Sequence, residues 1–191
     1  MWLGQLYSGG AEIELSLLFT DVRGSTHLAE GMSAAEFSHV MNRFYDAATD
    51  VLIRTDAFID KLVGDEVIGL YIPGYAGDRH AGKAVQAAQE LGRAMGYGTP
   101  TGPWLPIGIG VHTGVAYVGT VQGTEGAVTD FTALGDNVNI TARLASMARP
   151  GEALISDAAY LAAGLDLGNL ERRELELEGR AEHVDVRVLA L

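Results

Sequence analysis

The sequence predicts an α+β protein: a βαββαβ core whose largely antiparallel sheet is covered by helices, with a strand-helix-strand extension at the C-terminal end. Three observations predict it. Two apolar runs, AFIDKLV and EVIGLYIP, meet at Gly64-Asp65, too close together for anything but a hairpin. Ahead of them, Phe37, Val40, Met41, Phe44, Tyr45, Ala48, Val51 and Leu52 recur at helical spacing. Behind them, strand-like and helix-like stretches follow one another to the last residue.

Taken in order, residues 1–11 read as a lead-in or linker closed by Gly9-Gly10, and residues 12–191 as one domain. EIELSLLFTD is the first strand; Leu15, Leu17 and Phe19 share one face and Leu18 lies on the other, as in a central strand. Ser33 and Glu36 form a capping box at the start of the first long helix. After the hairpin, a second helix spans Asp78 to Met95, with Ala81, Ala84, Val85, Ala88 and Leu91 inward. GYGTPTGPWLP is a loop by its glycines and prolines. LPIGIGVHTGVAYVGTV should give two short strands around Thr113-Gly114. A third helix should run from near Asp136 to Met147, before Pro150-Gly151 stops it. EALIS, a short helix, LERRELELE and VDVRVLAL complete the chain, and the helices are expected on one face of the sheet. This order is that of a ferredoxin-like, palm-type core.

A chain of 191 residues buries about 70% of its unfolded surface without covalent staples. It contains no cysteine, which excludes disulfides, thiolate metal sites and a cysteine nucleophile. His27, His39, His80, His112 and His183 are scattered, no pair at a helical zinc-ligand spacing, and His112 reads as a packed strand residue. The net charge of −12 argues against a nucleic-acid partner held through phosphates. An anionic small molecule remains compatible if a cation bridges it to the protein. MWLGQLYSGGAE lacks the pattern of a signal peptide, and no uncharged apolar run approaches the roughly 20 residues of a membrane span. The expected setting is cytoplasmic.

The acidic residues direct attention to one rim of the sheet. Asp21 ends the first strand and Asp65 sits on the hairpin tip; neighbouring strands would bring both together, as two carboxylates that complete a Mg²⁺ shell with substrate phosphates. Each taken alone reads first as a solvated strand end or hairpin tip, and the residues around them shift that reading. Asp21-Val-Arg-Gly-Ser-Thr26 passes from a strand into a glycine-containing turn and a short helical segment, whose free amides attract phosphate. On the third helix Asn139 and Arg143, four apart, project from one face, either as a surface rim or as groups that orient a ribose and stabilise charge at phosphorus.

Together FTDVRGST, FIDKLVGDEV, IGIGVHTGVAYVGTV and FTALGDNVNITARL closely resemble the class III nucleotidyl cyclase family, from about Glu12 to the C-terminus. VGDE also half-resembles the GGDEF signature of diguanylate cyclases, but Val63 fills the first glycine position and LGDNVNITAR has no counterpart there. The resemblance implies that Asp21 and Asp65 bind two ions, Mg²⁺ or Mn²⁺, with the Val22 carbonyl as a further ligand. It matches Ser25 and Thr26 to the turn that holds the terminal phosphates, Lys61 and Thr132 to the base-reading pair, and Asn139 and Arg143 to the ribose-orienting and transition-state residues. Lysine with threonine is an adenylate cyclase pair, whereas guanylate cyclases have glutamate with cysteine. The pairing is chemically sensible: adenine offers an acceptor at N1 and a donor at N6, lysine only donates, and a hydroxyl can accept. One departure stands out. Where the family often has Leu-Lys-Gly, this chain has Leu177-Glu178-Gly179, and Arg180 is the candidate cation in place of that lysine.

What the resemblance implies is an adenylate cyclase that converts ATP to 3′,5′-cyclic AMP and pyrophosphate in a head-to-tail homodimer with sites shared between chains. The alternatives are a guanylate cyclase or a weakly catalytic nucleotide-binding regulatory domain. The start of the chain just ahead of the first strand leads to the expectation of a fused or associated sensor domain.

Overall fold

A computed structural model describes residues 9–122, 129–177 and 183–191. Among them eight strands form one sheet: β1 (Gly10–Val22), β2 (Phe58–Val63), β3 (Glu66–Tyr71), β4 (Ile107–Gln122), β5 (Thr129–Leu134), β6 (Glu152–Ser156), β7 (Glu171–Leu175) and β8 (Val184–Ala190). The helices are α1 (Ser25–Glu30), α2 (Ala34–Arg54), α3 (Pro73–Ala76), α4 (His80–Met95), α5 (Asp136–Met147) and α6 (Asp157–Ala163). The strands run β2-β3-β1-β4-β6-β8-β7, with β5 also on β4. All pairings are antiparallel except β4 with β6, which α5 connects as a crossover.

The spine is β1 against β4, in unbroken register from Gly10↔Gly119 to Val22↔Ile107. Gly10 and Ala11, expected in the lead-in, are therefore strand residues. The expected break of β4 at Thr113-Gly114 is absent: this is one strand of 16 residues. Its length lets two strands share its other edge, β6 along residues 108–111 and β5 along 117–122. The sequence reading contained no strand at β5.

Gly114, which suggested a turn, and Gly110 are needed for close approach instead. A Cβ on Gly110 would lie 2.6 Å from the Thr141 carbonyl oxygen and closer still to the Ala145 amide. One on Gly114 would lie 2.6 Å from Cγ of Asn137. These positions let α5 lie directly on β4.

The expectation that all helices share one face is corrected here. Leu18, Val22, Ile107, Ile109 and Val111 pack with buried residues of α2, α4 and α6. On the opposite face Leu15, Leu17 and Phe19 meet Val138, Ala142 and Ala145 of α5. Ile140 and Leu144, on the other flank of α5, pack with Leu154, Val186 and Val188. Among the described residues no helix is long and apolar enough to cross a membrane.

The capping box is present, with the Ser33 hydroxyl accepting from the Glu36 amide and the Glu36 carboxylate from the Ser33 amide. The third predicted helix has the bounds expected for it, Asp136–Met147. Because the Gly110 contacts are backbone atoms that cannot rotate away, Gly110→Ala should lower stability by roughly 3 kcal/mol, the upper end of overpacking costs. A denaturant midpoint equal to wild type would mean that α5 does not rest on β4 this closely.

Candidate active site

Two clusters of polar side chains gather some of the predicted residues: Asp21, Ser25 and Asp65 in one, Lys61 and Thr132 in the other. The first lies where β1 ends. Gly64 and Asp65 form the two-residue loop between β2 and β3, and Gly64, at φ 60°, takes the left-handed first position that such a loop requires. The tip is held in place: the Val22 amide donates to the Asp65 carbonyl at 3.0 Å, and the Tyr45 hydroxyl donates to the Gly64 carbonyl. Ser25, first residue of α1, donates its hydroxyl to the Asp65 carboxylate. Thr26 follows, exposed, on the same first turn. Gly24 precedes it in a left-handed conformation at φ 72°, which turns the chain from β1 into α1.

Register adds a third carboxylate, because Asp21 of β1 pairs with Glu66 of β3. Burial pushes the Asp21 carboxyl above its ordinary value; Arg23 pulls the other way, and Asp65 adds to the rise. Burial likewise raises Glu66, followed by the charges of Asp21 and Asp65. Arg23 offsets part of this repulsion with a 3.2 Å ion pair to Asp21. Its guanidinium also donates to the carbonyls of Ala145 and Ser146, near the negative end of α5. Carboxylates that resist ionisation, first through burial and then through a neighbour's charge, suit a divalent cation. Among the described residues no three acidic or histidine side chains could hold an ion by themselves, so substrate oxygens would have to complete its shell.

The second cluster joins β2 to β5. The Lys61 ammonium lies 3.3 Å from the Thr132 hydroxyl oxygen, 2.6 Å from Asp130 and 3.6 Å from Asp60. Thr132 donates its hydroxyl hydrogen to Asp60 at 3.1 Å. Burial pulls Lys61 down, but Asp130 and Asp60 outweigh it and the net shift is upward.

Asn139 and Arg143 stand on α5, Asn139 exposed and Arg143 partly buried. The start of that helix is pinned by a buried network. Asn137 donates its amide to the Val115 carbonyl at 2.7 Å, which leaves its oxygen to accept from Nε2 of His112 at 2.8 Å. Nδ1 of His112 in turn lies 2.7 Å from the Ser156 hydroxyl. Sequence reasoning took His112 as a packed strand residue, and it is one. It did not single out Asp60, Arg23 or Asn137, and Glu66 was visible only as half of an acidic pair. Arg180 and Glu178 lie outside the described residues.

The electrostatics make a prediction. Folded protein holds the Glu66 proton more tightly than the unfolded chain, so ionising it costs stability as pH rises through the raised value. Without divalent ions, Glu66→Gln should therefore unfold at a higher denaturant concentration than wild type at pH 7. The difference should vanish below the ordinary glutamate value of 4.5, where both states are protonated. A variant no more stable than wild type at pH 7 would mean that burial and neighbouring charge do not oppose ionisation of Glu66.

The model of the adenylate and guanylate cyclase catalytic domain matches residues 11–188. The chain is 30% identical over 139 residues to an adenylate cyclase of Anabaena cylindrica, covering 71% of this chain and 27% of that protein. It spans about a quarter of the length of the curated relatives it matches first. Among solved structures it is similar to the guanylyl cyclase Cya2, with a TM-score of 0.85, 28% identity, and 94% and 93% of the two chains covered. It is also similar to the adenylyl cyclase CyaB from P. aeruginosa, with a TM-score of 0.79, 27% identity, and 95% and 96% covered.

Proposed function

The chain belongs to the adenylate and guanylate cyclase catalytic-domain family, and on that premise we propose that it is an adenylate cyclase, making 3′,5′-cyclic AMP and pyrophosphate from ATP. The observation that carries the choice of base is the 3.3 Å approach of Lys61 to Thr132 across two strands. The ammonium donates to adenine N1, and the threonine oxygen, its hydrogen already given to Asp60, accepts from the N6 amine. Guanine would set a donor against the lysine and an acceptor against the lone pairs, and unpaired buried groups of that kind discriminate strongly.

The ribose 3′ oxygen attacks the α-phosphorus in line, its proton departs, and the bond to the β-phosphate breaks to release pyrophosphate. Asn139 orients the ribose for this attack, and Arg143 compensates the charge that builds at five-coordinate phosphorus. Ser25 and Thr26 hold the terminal phosphates at the start of α1. Asp21 and Asp65, with the Val22 carbonyl, would hold two divalent cations, Mg²⁺ or Mn²⁺, which when bound neutralise the triphosphate and acidify the attacking hydroxyl. No protein nucleophile is required. The chemistry takes place in the cytoplasm, under a fused or associated sensor.

A homodimer in head-to-tail arrangement completes the reading, with Asp21 and Asp65 from one chain facing Lys61, Thr132, Asn139 and Arg143 of the other. Exposed apolar side chains on β2 and β5, Phe58, Leu62 and Leu134, support a surface that a second copy covers. GTP as substrate is the second reading, favoured by the similarity to Cya2, which is a guanylyl cyclase.

Incubating the protein with ATP or GTP and either cation, then separating the products, decides between the two. Cyclic AMP should form in preference to cyclic GMP. Asp65→Asn should lower turnover by roughly 10²-fold or more, the scale of losing one dominant electrostatic group, with an unchanged circular dichroism spectrum. Wild-type turnover in that variant would return Asp65 to a solvated hairpin tip.

Site sharing has its own test. Asp21→Ala and Arg143→Ala should each be severely impaired, yet mixed dimers would carry one doubly damaged site and one intact site. Activity should reappear in doubly tagged mixed dimers, at up to half the wild-type rate. Mixed dimers no better than either parent would exclude a shared site.

A further inference from the structure

Asp60 is an unusual residue to find beside a base-reading pair. Its side chain is 6% exposed, one of its carboxylate oxygens is buried without a hydrogen-bond partner among the described residues, and burial pushes its pKa upward. A buried carboxylate costs stability unless its neighbours compensate it. Here the compensation comes from Thr132 at 3.1 Å and Lys61 at 3.6 Å.

The backbone departs from regularity at this same residue. Ile59 pairs with Gly69 and Lys61 with Ile68, so Asp60 is the extra residue of a β-bulge in β2. In a regular strand consecutive side chains point to opposite faces, and Asp60 and Lys61 could not both reach one group on β5. The bulge breaks the alternation, and both now meet the Thr132 hydroxyl. Asp130 holds the ammonium from the more open side, its side chain 50% exposed.

We infer that Asp60 is a positioning residue for base selection: it takes the hydroxyl hydrogen of Thr132 and so fixes that oxygen as an acceptor beside the Lys61 ammonium. A free threonine hydroxyl can rotate to donate or accept and would tolerate either purine edge. An ionised carboxylate can only accept, and the hydrogen it draws cannot be offered to the base. The inference rests on the adenylate cyclase reading and adds to it the residue that gives Thr132 its polarity.

The test is Asp60→Asn, close in shape, whose amide can donate to Thr132 and so turn the hydroxyl hydrogen toward the base. Two ratios are read: kcat/KM for ATP against GTP, and the concentrations of each needed to displace a fluorescent ATP analogue. In Asp60→Asn both ATP-to-GTP ratios should fall at least tenfold, with an unchanged melting curve. Asp60→Ala, which leaves the hydroxyl free to rotate, supplies the same comparison should the amide variant not fold. Thr132→Ala should lower the ratios similarly, and adding Asp60→Asn to it should lower them no further, because the carboxylate acts through the hydroxyl. Thr132→Ser, which keeps the hydroxyl, should retain them.

If Asp60→Asn loses ATP and GTP activity by the same factor, or its effect adds fully to that of Thr132→Ala, Asp60 is a structural residue and the inference fails. If wild type itself prefers GTP, the adenylate cyclase reading fails, and an acceptor polarity at Thr132 fails with it. Wild-type ATP preference with an unchanged ratio in Asp60→Asn overturns the role of Asp60 alone.

Discussion

The antiparallel pairing of β1 with β4 is the constraint on which the remaining architecture depends. Its 13 residues of unbroken register bring Asp21 to the rim where the β2–β3 hairpin tip also arrives. The same pairing presents Gly108, Gly110 and Gly114 on one face of β4, and without side chains there α5 can lie directly on the strand. A helix standing off by the width of a methyl group would move Asn139 and Arg143, and would draw the Ala145 and Ser146 carbonyls away from Arg23. Because β4 outlasts its pairing with β6, β5 finds an edge beside its far end, and only there can Thr132 meet Lys61. The positions of both clusters thus follow from strand length and from missing Cβ atoms.

Much of the fold was readable because it rests on local chemistry. The capping box, the two-residue hairpin and the Asp136–Met147 helix each follow from a few neighbouring residues, and the structure has them as expected. Helical spacing shows which side of a helix turns inward but not which face of the sheet receives it, so α5 was placed on the wrong side. Glycine is ambiguous for a similar reason. In β4 none of Gly108, Gly110, Gly114 and Gly119 has a positive φ; they serve contact with distant residues, which no local window reveals.

The candidate site divides in the same way. Asp21, Asp65, Lys61, Thr132, Asn139 and Arg143 were nameable from motifs, and the structure brings Asp21 beside Asp65 and Lys61 beside Thr132. The supporting residues were not nameable. Glu66 matters because register sets it opposite Asp21, Arg23 because α5 ends beside it, and Asp60 because of a bulge. Glu66 and Arg23 depend on contacts between segments far apart in sequence, and the bulge at Asp60 matters because it brings that residue to the distant Thr132. Those contacts arise only once the sheet has formed.

The two clusters also differ in how completely they are satisfied. Around Thr132 the hydrogen bonds interlock, one Asp60 oxygen excepted, which holds the proposed base-reading groups in one arrangement. Around Asp21 burial and neighbouring charge both raise the carboxyls of Asp21 and Glu66, and Arg23 opposes the rise at Asp21. Carboxylates held in this way cost the fold stability when they ionise, and positive charge beside them offsets that cost. Satisfying those carboxylates with further lysine or arginine would steady the protein and leave less negative charge for a cation to meet. The hydrogen-bonded order in one cluster and the raised carboxyls in the other therefore fit the different tasks proposed for them, base selection and cation binding.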